Sequence, residues 1–303
     1  MDWEEWLRSA AEPPSNSEDS KRERTEDQIT EALADYEPLA GRPYAVYAKG
    51  SYANNTNVRL NYDVDIAVEY GGFFYFDLMF DLENSEPSAA GINTPSTDPY
   101  TTTQFKDDIR AALVAAYGES AIQDGRIAYR VREKKTTLPA DIVPCWEYRR
   151  YDTLLPGGAV SFHEGSRVYP SDGGHVENYP KIQLTQGTAK NKRTGYRYKR
   201  MVRALKKLQT KLVNDGDLDK ELPSYLIECL VYNVPDDCFG KTNYLDDMRG
   251  ALATIFNATL RDGNSNDWLE VHELKYLFRA TKAWTLDEVH AMASAAWDTL
   301  GFA

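Results

Sequence analysis

The spacing of apolar residues predicts a short helix carrying Trp3, Trp6 and Leu7, a polar linker through Pro13-Pro14, and a longer helix over 18–36. Ile29, Leu33 and Tyr36 form the apolar stripe of that second helix. Two short apolar runs follow, at 44–48 and 63–69, and read as strands; the first is followed by Gly50-Ser51 and the second is closed by Gly71-Gly72. Residues 82–100, rich in Ser, Pro, Asn and Gly, read as a surface loop. Phe105, Ile109 and Leu113 predict a helix over 102–117, and the alternation Ile127, Tyr129, Val131 predicts a strand over 126–132. A further strand is predicted over 140–148, where Pro144 points to an edge or a bulge. The Gly/Pro-rich stretch 156–180 reads as irregular. Past residue 180 the pattern turns helical. Helices are predicted over 195–213, from Pro223-Ser224 with Tyr225, Leu226, Cys229 and Leu230 as its stripe, over 245–260, and after the capping box Thr285 to Glu288. The expected fold class is α/β (α+β), with a mixed domain over 1–180 that includes the N-terminal helix and a helical domain over 181–303.

Composition narrows the function classes. The 303 residues are 42% hydrophobic, enough for packed cores, and carry a net charge of −12. Net negative charge argues against a nucleic-acid coat or a membrane-surface protein. No run of 18 apolar residues is present, and the acidic start Met1-Asp2-Trp3-Glu4-Glu5-Trp6 lacks the basic-then-apolar pattern of a signal peptide, so a cytoplasmic location is expected. Cys145, Cys229 and Cys238 offer neither a disulfide framework nor a CxxC knuckle and are expected as thiols. The four histidines have no HxxxH or HExxH spacing. Asp262, Asn264, Asn266, Glu270 and Glu273 imitate a calcium hand, but the glycine needed at its sixth position is Asp267, so the segment reads as a polar loop.

The chemistry lies in a conjunction of three features. Gly50-Ser51 follows a strand; twelve residues past Ser51, Asp63-Val64-Asp65 opens the next strand; Asp141 lies in a later one. Alternate strand residues share a face about 6.5–7 Å apart. Two carboxylates so placed, leading the apolar run Ile66-Ala67-Val68, are costly unless a cation lies between them. Oxygen donors select Mg²⁺ or Mn²⁺, and a third carboxylate from a neighbouring strand would complete a site for two ions. A glycine turn lets N–H groups approach a phosphate, and a serine hydroxyl adds a donor. Each feature is common alone; together, in this order and on strands, they point to phosphoryl or nucleotidyl transfer.

A basic segment adds to the picture. Lys181 to Lys211 holds eleven Lys/Arg and no acid; taking these from the net −12 leaves −23 elsewhere. Lys199, Arg203 and Lys206 fall on one helical face, and so focused a patch in an acidic chain suits a compact polyanion such as a triphosphate. The surrounding negative charge argues against a nucleic-acid activator.

The stretch Gly50-Ser51-Tyr52-Ala53-Asn54-Asn55-Thr56 followed by Asp63-Val64-Asp65-Ile66 resembles the signature of the polymerase-β-like nucleotidyltransferase superfamily. His175 to Pro180, Ala189-Lys190-Asn191, Tyr198 to Arg203 and Pro223 to Glu228 resemble the CD-NTase family (cGAS/DncV-like nucleotidyltransferases of anti-phage signalling), most of all its CdnE clade, over about residues 40–300. The resemblance implies a nucleotidyltransferase core sheet with a C-terminal helical lobe, and a cyclic di- or trinucleotide product made from NTPs, ATP and UTP among them, and sensed by a downstream effector. It implies that Lys199 and Ser224 hold NTP phosphates and that Tyr225 stacks on a base; Lys190 is a further candidate contact and Asn178 a candidate base selector. Two other readings stay open at this point: transfer of NMP to an RNA end or a protein, and a non-catalytic NTP-binding module.

Overall fold

The computed structural model describes residues 1–58, 63–93 and 98–302. In chain order its elements begin with α1 (Trp3–Ala10), α2 (Asn16–Ala34), β1 (Tyr44–Lys49), α3 (Gly50–Ala53), β2 (Val64–Leu78), α4 (Thr102–Tyr117), β3 (Ile122–Asp124) and β4 (Tyr129–Val131). They continue with β5 (Ala140–Leu154), β6 (Val160–Val168), β7 (Val176–Asn178), α5 (Pro180–Arg193), α6 (Tyr198–Asp215), α7 (Ser224–Asn233), α8 (Tyr244–Ala258) and α9 (Leu286–Thr299). Packing groups them into two compact units: Asn16–Gly50 with Tyr62–Ile182, and Met1–Ser15 with Ser51–Asn61 and Gln183–Ala303. A division at residue 180 therefore misses two excursions. The N-terminal helix and the segment after Gly50 both pack with the helical residues.

The first unit is a mixed sheet in the order β1-β2-β5-β4-β3, with β6 on β5 and β7 on β6. β2 and β5 run parallel; the other pairings are antiparallel. Strand alternation gives the sheet two unlike faces. Val64, Ile66, Val68 and Tyr70 of β2 and Ile142 and Trp146 of β5 are buried. Phe105 of α4 packs edge-on to Trp146 at 5.6 Å and tilted against Tyr70 at 5.1 Å. The intervening positions carry Asp65, Ala67 and Glu69 on β2 and Asp141, Val143 and Cys145 on β5; Ala67, Val143, Cys145 and Val168 form a small apolar cluster there. The acids thus sit on the face away from α4.

Three expectations change. β2 does not stop at Gly71-Gly72: its pairing with β5 slips between Tyr70 and Tyr75, and the strand runs on through the aromatic stretch Phe73 to Phe76. The glycines mark a bulge, as glycine within a strand often does. β5 is a central strand, not an edge. Pro144 is tolerated because β4 pairs only as far as Ile142 and β6 begins at Trp146, so no ladder bond is asked of it on that side. The stretch 156–180 holds β6 and β7, and Pro180 opens α5; Gly157 and Gly158, at φ +85° and +82°, make the turn between β5 and β6. Residues 82–100 contain a short 3-10 turn at Pro87–Ala90, and 94–97 lie outside the described residues.

In the second unit α6 is the central strut. Met201, Val202, Leu205, Leu208 and Leu212 are buried with Leu226, Ile227 and Leu230 of α7, Met248, Leu252 and Ile255 of α8, and Val289 and Met292 of α9. Each such side chain contributes about 1.5–3 kcal/mol by burial. Leu7 of α1 belongs to the same core, which is why α1 groups with these helices.

Candidate active site

Within the sheet unit the site forms where β1 ends. Lys49, the last residue of β1, pairs with Asp65 of β2, which pairs with Asp141 of β5. The two aspartates are direct neighbours across a parallel ladder and share a face. Gly50 turns the chain here with φ +68°, and a Cβ on it would lie 2.3 Å from Asp65 Oδ2. A side chain here would be strained by the left-handed φ and would push against the Asp65 carboxylate. Ser51 lies in the short α3 that follows.

The electrostatics are unbalanced. Burial raises the pKa of Asp65; Lys49 opposes the rise, and the charges of Asp141 and Asp63 add to it. Burial also raises Asp141, offset in part by Arg130 and Lys49, with Asp63 pushing upward. Burial is the largest cause of both shifts, and the neighbouring cations offset it only in part. Asp63 is half-exposed and accepts a bond from Arg130 Nη2 at 2.5 Å. Among the described residues no three His, Cys, Asp or Glu side chains form a group able to share one ion. The expected three-carboxylate convergence is therefore realised in part: Asp65 and Asp141 stand side by side, and Asp63 is held by Arg130. Lys49 and Arg130 escaped the sequence reading. Lys49 directly precedes Gly50-Ser51 and could have been noticed; Arg130 faces Asp141 across β4 and β5, a register that the spacing alone does not reveal. Asn178 is half-buried on β7, opposite Ser166.

The helical unit holds the remaining candidates. Ser224 is exposed at the start of α7, and Tyr225 beside it is half-buried. Lys199 is half-buried in the first turn of α6; burial lowers its pKa, Glu228 opposes that and Arg203 adds to it. Its Nζ makes a long contact of 3.4 Å to Thr188 Oγ1. Three other cations are committed to the fold. Lys190, 4% exposed, donates to the Val234 carbonyl and to Asp236, both at 2.7 Å, so it is not placed to grip a nucleotide. Arg203, 3% exposed, donates to the carbonyls of Ala11 and Asn55, and Lys206, 4% exposed, to the carbonyl of Thr56 at 3.0 Å. The shared face of Lys199, Arg203 and Lys206 is thus not a triphosphate patch. Its two inner members fasten main chain, and Glu228 accepts from Thr56 Oγ1 and Gln183 Nε2 in the same layer. Glu270 and Glu273 of the calcium-hand-like loop are engaged by Tyr225 and Tyr232.

A strand turning through Gly-Ser, aspartates on the next strand and on its parallel neighbour, and a helical lobe define a polymerase-β-like nucleotidyltransferase. Comparison with known proteins agrees. The model of the cGAS/DncV-like nucleotidyltransferase C-terminal helical domain matches residues 185–301. The cyclic dipyrimidine nucleotide synthase CdnE of Cecembia lonarensis is 35% identical over 301 residues, covering 99% of this chain and 98% of the relative. The chain is similar to the solved structure of Elizabethkingia meningoseptica CdnE cyclic dinucleotide synthase with GTP and Apcpp (TM-score 0.79, 30% identity, 99% of both chains). It is also similar to Rhodothermus marinus CdnE c-UMP-AMP synthase with Apcpp and Upnpp (TM-score 0.81, 28% identity, 99% and 98% of the two chains). The chain belongs to the CD-NTase family of cGAS/DncV-like nucleotidyltransferases, among its CdnE-type members. No helix among the described residues is long and apolar enough to cross a membrane.

Proposed function

We propose that the protein condenses NTPs into a cyclic di- or trinucleotide second messenger that a downstream effector senses in anti-phage signalling in the cytoplasm. The observation that carries this reading is the end-to-end likeness, at 35% identity, to a cyclic nucleotide synthase. Asp63, Asp65 and Asp141 would hold Mg²⁺ or Mn²⁺, two ions in all. The donor set fits: hard carboxylate oxygen atoms, in part buried, with burial raising the carboxyl pKa of Asp65 and of Asp141. Such ions, when bound, ease deprotonation of the attacking ribose hydroxyl and offset the charge of the leaving pyrophosphate.

The chain's own groups bind and orient. Ser51 offers a hydroxyl and an N–H to phosphate oxygens, with Gly50 keeping the turn bare. Lys199 and Ser224 are phosphate contacts, Tyr225 a platform for a base, and Asn178 a donor or acceptor for a base edge. Lys49 and Arg130 temper the repulsion between carboxylates before substrate arrives. The ribose hydroxyl of one NTP attacks the α-phosphorus of another. An O–P bond forms as the bond to the bridging oxygen of the β-phosphate breaks, and pyrophosphate leaves with that oxygen. A second transfer within the linear product closes the ring. The relatives' own names span dipyrimidine, dipurine and UMP-AMP products. Overall likeness therefore does not select bases, and ATP with UTP is the pair to try first.

The test is incubation with Mg²⁺ and each labelled NTP, singly and mixed, without any acceptor, followed by phosphatase and mass spectrometry. A phosphatase-resistant product whose mass equals that of its nucleotides joined with loss of pyrophosphate is expected. Label released entirely as inorganic phosphate, or transfer only when RNA or protein is added, refutes the proposal.

A further inference from the structure

Tyr225 reaches inward with its hydroxyl. It donates to Glu270 Oε2 at 2.7 Å, and Glu270 is only 5% exposed. The same carboxylate accepts from His272 Nε2 at 3.0 Å and from the Lys282 ammonium. The Leu274 N–H donates to His272 Nδ1 at 3.1 Å, so the ring proton lies on Nε2 and points at Glu270. Burial alone would raise the Glu270 pKa; the bonds from His272 and Lys282 outweigh it and bring it to about 2. Burial above all, then Cys229 and Glu270, hold the Tyr225 phenol well above its usual range, so its hydroxyl remains the donor.

The turn that carries Glu270 is fastened to α7 by other means as well. Seven residues after Tyr225, Tyr232 donates to Glu273 at 2.6 Å; Asn233 donates to the Leu269 carbonyl at 2.7 Å and accepts from the Leu269 N–H at 3.1 Å. Main-chain bonds Glu270 to Lys275 and Leu277 to Trp268 close the turn itself. Glu270 would therefore stay in place without Tyr225, whereas the Tyr225 hydroxyl is held by Glu270, with the Cys229 thiol, a weaker partner, beside it. A fixed hydroxyl limits rotation about both side-chain torsions, and a ring so held loses less entropy when a base stacks on it.

We propose that Glu270, set by His272 and Lys282, is a positioning residue that fixes the Tyr225 ring for the nucleobase. This rests on the reading of Tyr225 as a base platform. Affinities for Apcpp and Upnpp are measured by calorimetry on the full chain and its variants Tyr225→Leu, Tyr225→Phe, Glu270→Gln and their Phe/Gln double, with KM and kcat for product formation alongside. Tyr225→Phe keeps the ring and frees it, so it decides the matter if Glu270→Gln folds poorly. Expected are affinity losses of about tenfold for Phe and Gln alike, within the range of a base–aromatic stack. KM should rise more than kcat falls, and the double variant should be no worse than either single, because one interaction is removed twice. Lys282→Arg should retain the affinity that Lys282→Met loses. If Tyr225→Leu weakens binding but Tyr225→Phe does not, or the two effects add, the positioning role is refuted while the platform stands. If Tyr225→Leu leaves binding unchanged, the platform itself fails.

Discussion

Replacing Gly50 by alanine separates what the turn costs the fold from what it does for the site. Alanine at φ +68° meets a left-handed penalty of about 1–2 kcal/mol. Its Cβ would stand 2.3 Å from Asp65 Oδ2, where contact needs about 3.5 Å, so the carboxylate or the turn must yield by on the order of 1 Å. A displacement of that size in a reacting constellation can cost about 100-fold in rate. Gly41 supplies the control: it has φ +72° and nothing within 4 Å of its Cβ position, so Gly41→Ala carries the conformational penalty without the clash. By calorimetry both variants should lose a few degrees in Tm. By NTP turnover with mass-spectrometric detection, Gly41→Ala should keep most activity, and Gly50→Ala should fall by two orders of magnitude. Gly50→Ala with activity within threefold of Gly41→Ala would refute the placement of Gly50 against a working Asp65.

Other outcomes follow from the same geometry. Asp65→Asn should abolish synthesis yet raise Tm at pH 7: a carboxyl whose pKa is raised on folding binds its proton more tightly in the folded state, so the fold loses stability as pH climbs from the unfolded value through the folded one. That gain should vanish below the unfolded pKa, and a gain independent of pH would contradict it. Added Mg²⁺ should raise the Tm of the parent protein more than that of Asp65→Asn, and EDTA should stop synthesis reversibly, both checked by titration. Lys206→Met should lower Tm through loss of a buried bond to the Thr56 carbonyl, about 1–3 kcal/mol, whereas Lys199→Met should raise KM for NTPs with little change in Tm. The opposite pattern would return the inner lysine to the ligand.

How much could be read beforehand depends on whether the signal was local. The pairing that sets Asp65 beside Asp141 is a register between β2 and β5 that no local pattern carries, whereas the strand before Gly50-Ser51, the Asp63/Asp65 spacing and the place of Asp141 on a strand are local patterns. The capping box at Thr285 and the stripes of α4 and α6 were legible for the same reason. β6 and β7 were hidden because glycines and charges interrupt their alternation, and α5 because Gly187 and its threonines break the helical stripe. Packing of Met1–Ser15 with the helical unit could not be seen at all: it depends on Leu7 reaching a core assembled some two hundred residues later.

The basic segment shows most sharply what spacing leaves undecided. A helical wheel assigns Lys199, Arg203 and Lys206 to one face, but a face has depth along the helix. At its outer end Lys199 is half-buried with one long contact; a turn or two inward, Arg203 and Lys206 have lost their water. A buried cation is tolerated only with close acceptors, and here these are main-chain carbonyls of the segment that follows Ser51. Charge conservation would look the same for a ligand contact and for such a fastening, yet the consequences differ. The buried pair fixes Asn55 and Thr56, with Asn55 in a left-handed conformation at φ +51°, and so acts on the backbone after Ser51 rather than on phosphate. Replacing both by uncharged residues of similar shape should therefore loosen residues 51–57 to hydrogen exchange in the absence of any nucleotide. A pair devoted to phosphate would leave that exchange unchanged until nucleotide was added.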